Sequence, residues 1–184
     1  MRKIIVSNVM TLDGFFESVD RKIDWFPRDN EFFDYAKDML RHTDTLLFGR
    51  LTYEVMEAYW PSTAVDEIAE KMNNLAKVVV STTLQTANWN NSSVVNGDVI
   101  RELSKLKQLA AKDIVLLGSA RLSSFLLQAG LIDEYRIVLA PVMLGQGNPL
   151  FPDVKKKLRM KLERTKLLGS GMAILYYQPL TGQS

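Results

Sequence analysis

Short apolar runs alternate along this chain with longer stretches whose apolar residues recur at helical spacing, and the alternation predicts the elements. "KIIVSNV", Lys3 to Val9, is rich in β-branched residues and reads as a first strand, closed by the turn "LDG", Leu12 to Gly14. "DNEFFDYAKDMLRHT" carries Phe32, Phe33, Ala36, Met39 and Leu40 at helical spacing, with Asp29 and Asn30 as candidate N-caps. "DTLLFG" is a second strand, and "TYEVMEAYW" a short helix stopped by Pro61. A helix over "VDEIAEKMNNLA" leads to a buried strand "KVVVSTT", Lys77 to Thr83, and to a short strand "SSVV".

In "VIRELSKLKQLA" the residues Val99, Ile100, Leu103, Leu106 and Leu109 or Ala110 share one side of a helix. "DIVLLG" is an apolar strand ending in glycine, and "RLSSFLLQAG" a helix with Gly130 at its C-terminal cap. "DEYRIVLAPVML" reads as one long strand, followed by the loop "GQGNP". The tail, "LRMKLERTKLL", "GSG" and "MAILYYQPL", makes a hairpin. Strands alternating with helices imply a mainly parallel sheet with helices on both faces, and the hairpin an antiparallel edge.

Composition narrows the function classes. The chain has 184 residues, 47% hydrophobic and 24% charged, which suits a globular domain with a sizeable core. A formal charge of +2 argues against a nucleic-acid footprint. The densest basic run, Lys155 to Lys161, reads as the solvated face of a strand. The absence of cysteine removes disulfides, thiolate metal sites and thiol nucleophiles, and fits a reducing compartment. The single histidine, His42, falls at a helix end, where it complements the dipole; no metal site is expected. No signal-peptide pattern and no membrane-spanning run of roughly 20 apolar residues is present, so a cytoplasmic location is expected.

Chemistry gathers where parallel strands end. "LLFGRLT" offers Gly49, Arg50 and Thr52; "VVVSTT" offers Ser81 and Thr82; "IVLLGSARL" offers Gly118, Ser119, Ala120 and Arg121. Helix N-termini with unpaired N–H groups favour phosphate, and two such mouths with two arginines suit a dinucleotide. The spacings G-x-G-x-x-G, G-x-x-x-x-G-K-[ST] and G-x-S-x-G are absent. Two acids are candidates for proton chemistry: Asp13 in "TLDG", and Asp29 beside Trp25, Phe26 and Phe32, where an apolar setting raises a carboxyl pKa. Capping is the competing role for Asp29, and a turn for Asp13.

These segments together resemble the dihydrofolate reductase-like superfamily, in particular the reductase domain of bifunctional riboflavin-biosynthesis proteins and their small stand-alone bacterial relatives. The carrying stretches are "TLDGFF", "LLFGRLTYE", "KVVVSTT", "AILYY" and, most specifically, "GLIDEYRIVLAPVMLGQGNPLF". The resemblance covers nearly the whole chain. It implies an α/β, three-layer fold over residues 1–180, with 181–184 a frayed tail. Its central mixed sheet would have about eight strands, mostly parallel with an antiparallel C-terminal strand.

It also implies NADPH as hydride donor and a pteridine-like or aminopyrimidine-ribitol-like small-molecule substrate. Gly49, Arg50 and Thr52 then match the cofactor-phosphate turn, and Ser81 and Thr82 the adenosine side. Gly118, Ser119, Ala120, Arg121 and Leu122 match the pyrophosphate loop and helix. Val9 and Met10 match the segment beside the nicotinamide, and Gly14 the loop after it. Asp29, or a water near Asp13, would assist protonation. The family has consecutive glycines where this chain has Gly118-Ser119-Ala120, so Ser119 either crowds the cofactor or donates to it. Two other readings stay open: a nucleotide-binding domain without turnover, and a homodimeric assembly module using the strand Glu134 to Leu144 as a contact.

Overall fold

In chain order the elements are β1 (Ile4–Thr11), β2 (Phe15–Glu17), α1 (Asn30–Arg41), β3 (Thr43–Gly49), α2 (Arg50–Tyr59), α3 (Glu67–Asn74), β4 (Ala76–Val80) and β5 (Ser92–Val95). Then come α4 (Val99–Gln108), β6 (Asp113–Leu117), α5 (Ala120–Gln128), β7 (Glu134–Ala140), β8 (Asn148–Pro149), β9 (Met160–Leu167) and β10 (Ala173–Pro179). This computed structural model describes residues 1–154 and 157–180. The expected frayed tail at 181–184 and the first two lysines of the basic run lie outside the described residues.

Eight strands form one mixed sheet in the order β5-β4-β3-β6-β1-β7-β10-β9. The six strands from β5 to β7 run parallel, and β10 is antiparallel to both its neighbours, β7 and β9. The small sheet β2-β8 is separate. Alternation along β1 sends Ile5 into a core with Tyr35, Met39, Tyr53, Ile68 and Met72, so α1, α2 and α3 cover that face. Ile4 and Val6 point the other way, to Leu103, Leu122 and Leu126 on α4 and α5. Helices therefore pack on both faces, as expected.

Several boundaries differ from the expected ones. β4 stops at Val80, because the Ser81 hydroxyl accepts the N–H groups of Thr83 (3.1 Å) and Leu84 (2.9 Å) and turns the chain. β7 ends at Ala140, where Pro141 has no N–H to continue the ladder. β7 is also paired on both sides, so it is no free edge for a dimer contact. Among the described residues of the basic run, Met160 and Lys161 alone are in a strand. On α1 the buried residues are Tyr35, Met39 and Leu40, while Phe33 lies toward solvent. On α4, Lys107 is buried while Ile100 and Leu109 are exposed.

The amino end of the sheet is closed by a polar clamp. Buried Arg2 donates to Lys112 O (2.6 Å) and Thr45 Oγ1 (2.8 Å) and pairs with Asp44. Asp133 accepts from Ile4 N (2.8 Å) and from the buried Lys107 ammonium (2.6 Å), and Asp113 from Lys3 N (2.9 Å). Orphan strand-start N–H groups are satisfied there by carboxylates. The carboxyl end is built differently.

Candidate active site at the carboxyl edge of the sheet

β4, β3, β6 and β1 are neighbours and run the same way, so Ser81, Gly49, Gly118 and the last residues of β1 reach one edge together. α2 leaves this edge on one face and α5 on the other. Helices α1, α3 and α4 begin with Asp29, Asp66 and Asp98, each accepting a first-turn N–H. α2 begins at Gly49 and α5 at Ser119 with no side-chain cap. The two mouths facing the edge thus present backbone donors without a carboxylate over them.

The mouths are locked to each other. Gly118 has φ +64° and Ser119 φ 56°, consecutive left-handed residues. Gly118 N donates to Asn8 Oδ1 (2.8 Å) and Ser119 N to Thr52 Oγ1 (3.1 Å). A Cβ on Gly118 would stand 2.7 Å from Thr52 Cγ2, and one on Gly49 2.0 Å from Ser119 Oγ. Close approach therefore requires both glycines, and at Gly118 the left-handed backbone requires it as well. Thr52, in the first turn of α2, accepts from the turn before α5. The Ser119 side chain is packed toward Gly49 and makes no capping bond to α5.

The other expected residues fall around this joint. Arg50 donates to Glu54 (2.8 Å), and its side chain is 41% exposed. Arg121 is exposed on the first turn of α5, whereas Ala120 and Leu122 are buried and contribute backbone. Ser81 spends its hydroxyl on its own turn, and Thr82 is exposed. Val9 and Met10, half-buried, pack against opposite faces of the sheet. Gly14 turns the chain at φ +90°.

The two acids hold structure. Asp13 accepts from Thr11 Oγ1 (2.5 Å), Gly145 N (2.7 Å) and Leu144 N (3.1 Å), and these bonds, the Thr11 hydroxyl foremost, hold its carboxyl below the ordinary range. Asp29 caps α1 through Phe32 N (2.8 Å). Its pKa is lowered by the Ser170 hydroxyl, near the carboxylate though outside strict hydrogen-bond geometry, and by that N–H. The expected rise at Asp29 is thus reversed, because hydrogen bonds to the ionised form outweigh the aromatic surroundings.

A carboxyl lowered on folding stabilises the fold above its unfolded pKa of about 4 and loses that contribution as pH falls through the folded value. Urea titrations from pH 6 to 3 should accordingly show stability falling with acid, with a shallower fall in Asp13→Asn. An unchanged slope would dismiss the Asp13 tie.

Sequence reasoning missed Asn8, hidden in the first-strand run, and Lys77, read as part of a buried strand. Lys77 is 1% exposed. Its ammonium donates to Asn73 O (2.9 Å), Leu75 O (2.8 Å) and Asn90 O (2.9 Å) and lies 4.4 Å from the Trp89 ring centroid. Burial pushes it down to about 8, so it stays protonated at neutral pH. A lysine inside an apolar β-branched run was the available signal.

The family described as "RibD C-terminal domain" matches residues 2–174. The uncharacterized protein YyaP of Bacillus subtilis is 34% identical over 180 residues, covering 96% of this chain and 94% of that protein. Among solved structures, a putative riboflavin biosynthesis protein from Shewanella superposes with TM-score 0.78 at 20% identity, covering 97% of this chain and 99% of that one. Dihydrofolate reductase from Enterococcus faecalis, complexed with NADP(H), superposes with TM-score 0.65 at 14% identity, covering 96% of both chains. Those two likenesses establish the fold: a dihydrofolate reductase-like mixed sheet. Among the described residues no helix is long and apolar enough to cross a membrane.

Proposed function

We propose, from the premise that the chain belongs to the RibD C-terminal domain family, that this protein is an NADPH-dependent reductase of a small heterocyclic substrate. The observation that carries the reading is the pair of uncapped helix mouths, α2 and α5, fastened to each other at one sheet edge. Pyrophosphate and a ribose phosphate are what such donors take up. The residues present fit the cofactor: close packing leaves no room for a side chain at Gly118, and neither the α2 nor the α5 mouth carries a side-chain cap.

Arg50 and Thr52 would lie at the 2′-phosphate end, with Ser81 and Thr82 beside the adenosine. Gly118 and Ser119 would shape the turn at the pyrophosphate, and Ala120, Arg121 and Leu122 would hold it largely through main-chain N–H groups. Val9, Met10 and Gly14 would line the nicotinamide. When bound, NADPH supplies a hydride; the protein supplies position and electrostatics. A pteridine-like or aminopyrimidine-ribitol-like substrate suits the family. Asp13 and Asp29 are held ionised, so the proton is assigned to a water near Asp13.

That same observation favours a second reading, a nucleotide-binding domain without turnover, since neither expected acid is poised to give a proton. Titration of NADPH and NADH, followed by tryptophan quenching and thermal shift, separates the possibilities. NADPH should bind more tightly than NADH, and Arg50→Ala should weaken NADPH roughly tenfold or more, with little effect on NADH. Oxidation of NADPH with reduced-pterin or aminopyrimidine acceptors supports the reductase; tight binding without oxidation supports the second reading. Binding of neither nucleotide rejects both.

A further inference from the structure

We propose that Asn8 is a cofactor-binding residue whose side-chain N–H donates to an acceptor oxygen on the pyrophosphate-nicotinamide half of the dinucleotide; this rests on the reading above. Asn8 is 8% exposed and sits on β1 on the α5 side, between Val6 and Met10, whose side chains join that face's core. Its amide orientation is fixed: Gly118 N can only donate, so Oδ1 must be the atom 2.8 Å away. Nδ2 is consequently the free end, and it is buried without a hydrogen-bond partner among the described residues.

Buried amide donors without partners are uncommon and cost stability. The neighbouring polar groups of the same strand show the contrast. Ser7 Oγ meets Tyr35 Oη at 3.1 Å, and Thr11 Oγ1 donates to Asp13 and accepts from Phe15 N. Holding the Gly118 turn requires only an acceptor at position 8, which a hydroxyl or a carboxylate would also supply. The donor is surplus to the fold.

It lies where a ligand would use it, beside the left-handed Gly118-Ser119 turn and one residue before Val9, between the α5 mouth and the end of β1. The adenosine end, at Arg50 and Ser81, lies across β6 on the far strands β3 and β4. An acceptor contributed by the dinucleotide on the β1 side would complete Asn8 and stiffen the turn that presents the α5 donors.

The test is binding, with two ligands. Asn8→Asp keeps an acceptor for Gly118 N and removes the donor; Asn8→Ser is the second variant, small and uncharged. NADPH and 2′,5′-ADP, which carries only the adenosine end, are titrated against each, with melting temperatures of the unliganded proteins recorded. Both variants should bind NADPH at least tenfold more weakly and 2′,5′-ADP within twofold of the parent. Equal weakening of both ligands would make Asn8 a purely structural support of the turn and overturn the proposal. Unchanged NADPH affinity would assign Nδ2 to a buried water and overturn it too. A parent protein that binds 2′,5′-ADP and NADPH equally well leaves the nucleotide reading standing while removing the β1-side contact. A parent that binds neither removes both.

Discussion

Replacing Lys77 with methionine is expected to lower the melting temperature by roughly 6–12 °C. A buried charged donor with three carbonyl partners is worth about 3 kcal/mol or more when removed, and a chain of this size shifts about 2–4 °C per kcal/mol. The three acceptors come from the end of α3, the Leu75 cap that joins it to β4 and the segment before β5, so one ammonium closes a corner of the molecule. The corner reaches the candidate site through Trp89. Its ring lies under the ammonium, its indole N–H donates to Asn73 Oδ1 (2.8 Å), and its backbone N–H donates to the hydroxyl of Tyr53 on α2 (2.9 Å). Loss of Lys77 should therefore loosen α2 as well as destabilise the fold. Thermal melts by circular dichroism decide the matter: a shift below about 2 °C would mean that water satisfies the three carbonyls and that the corner is not held by the ammonium.

Gly49→Ala should be damaging in a way that Ser119→Gly repairs. The backbone at Gly49 has φ −84° and ψ 160°, which alanine adopts freely, so conformation is not the obstacle. The obstacle is the Ser119 side chain, whose Oγ and Cβ stand 2.0 and 3.2 Å from the new methyl group. The Ser119 backbone is itself held in the left-handed region by its N–H bond to Thr52 Oγ1, and the preceding Gly118 N–H is held by Asn8, so the Ser119 Cβ has little freedom to retreat. Overpacking of this kind costs about 1–3 kcal/mol, and it pushes apart the two helix mouths. NADPH affinity should fall with stability. Ser119→Gly removes both clashing atoms and places glycine where φ is positive, so the double variant should regain most of the lost stability and binding. A coupling energy of about 1 kcal/mol or more is expected from the cycle. Simple additivity of the two single effects would sink the picture of a shared joint.

How much of this was legible in the sequence varied with the range of the interactions involved. The central strands and all five helices follow from local periodicity, and the hairpin from its "GSG" turn. Asp29 was readable as a cap because capping is decided within one turn. The boundary errors have equally local causes, Ser81 and Pro141, whose turn chemistry was overridden by the apolar run around them. What escaped was set by distant residues. Tyr35 is buried because Ser7, on another element, meets its hydroxyl. Lys77 takes one of its three carbonyls, and the ring of Trp89 beside it, from the segment before β5. Ser119 packs toward Gly49 across the sheet edge, a contact between two elements that no local pattern carries. Asn8 looked like any polar residue in a strand until Gly118 fixed its amide. The two-stranded sheet of β2 and β8 joins segments separated by more than a hundred residues, and neither has a strand pattern of its own.

The position of β6 between β1 and β3 also dictates an order of events during synthesis. β1 pairs only with β6 and β7, so no sheet neighbour exists for it until residue 113 has been made. β3 and β4 can pair early, but β3 keeps an open edge for the same interval. A nascent chain therefore carries two apolar strands waiting side by side with a gap between them, and β6 closes the sheet by insertion. Non-local pairing of this kind is slow and leaves edges open to association. Truncated chains that stop before Asp113 are consequently expected to aggregate, and chaperone dependence should fall in steps as β6 and then β7 cover the two edges of β1.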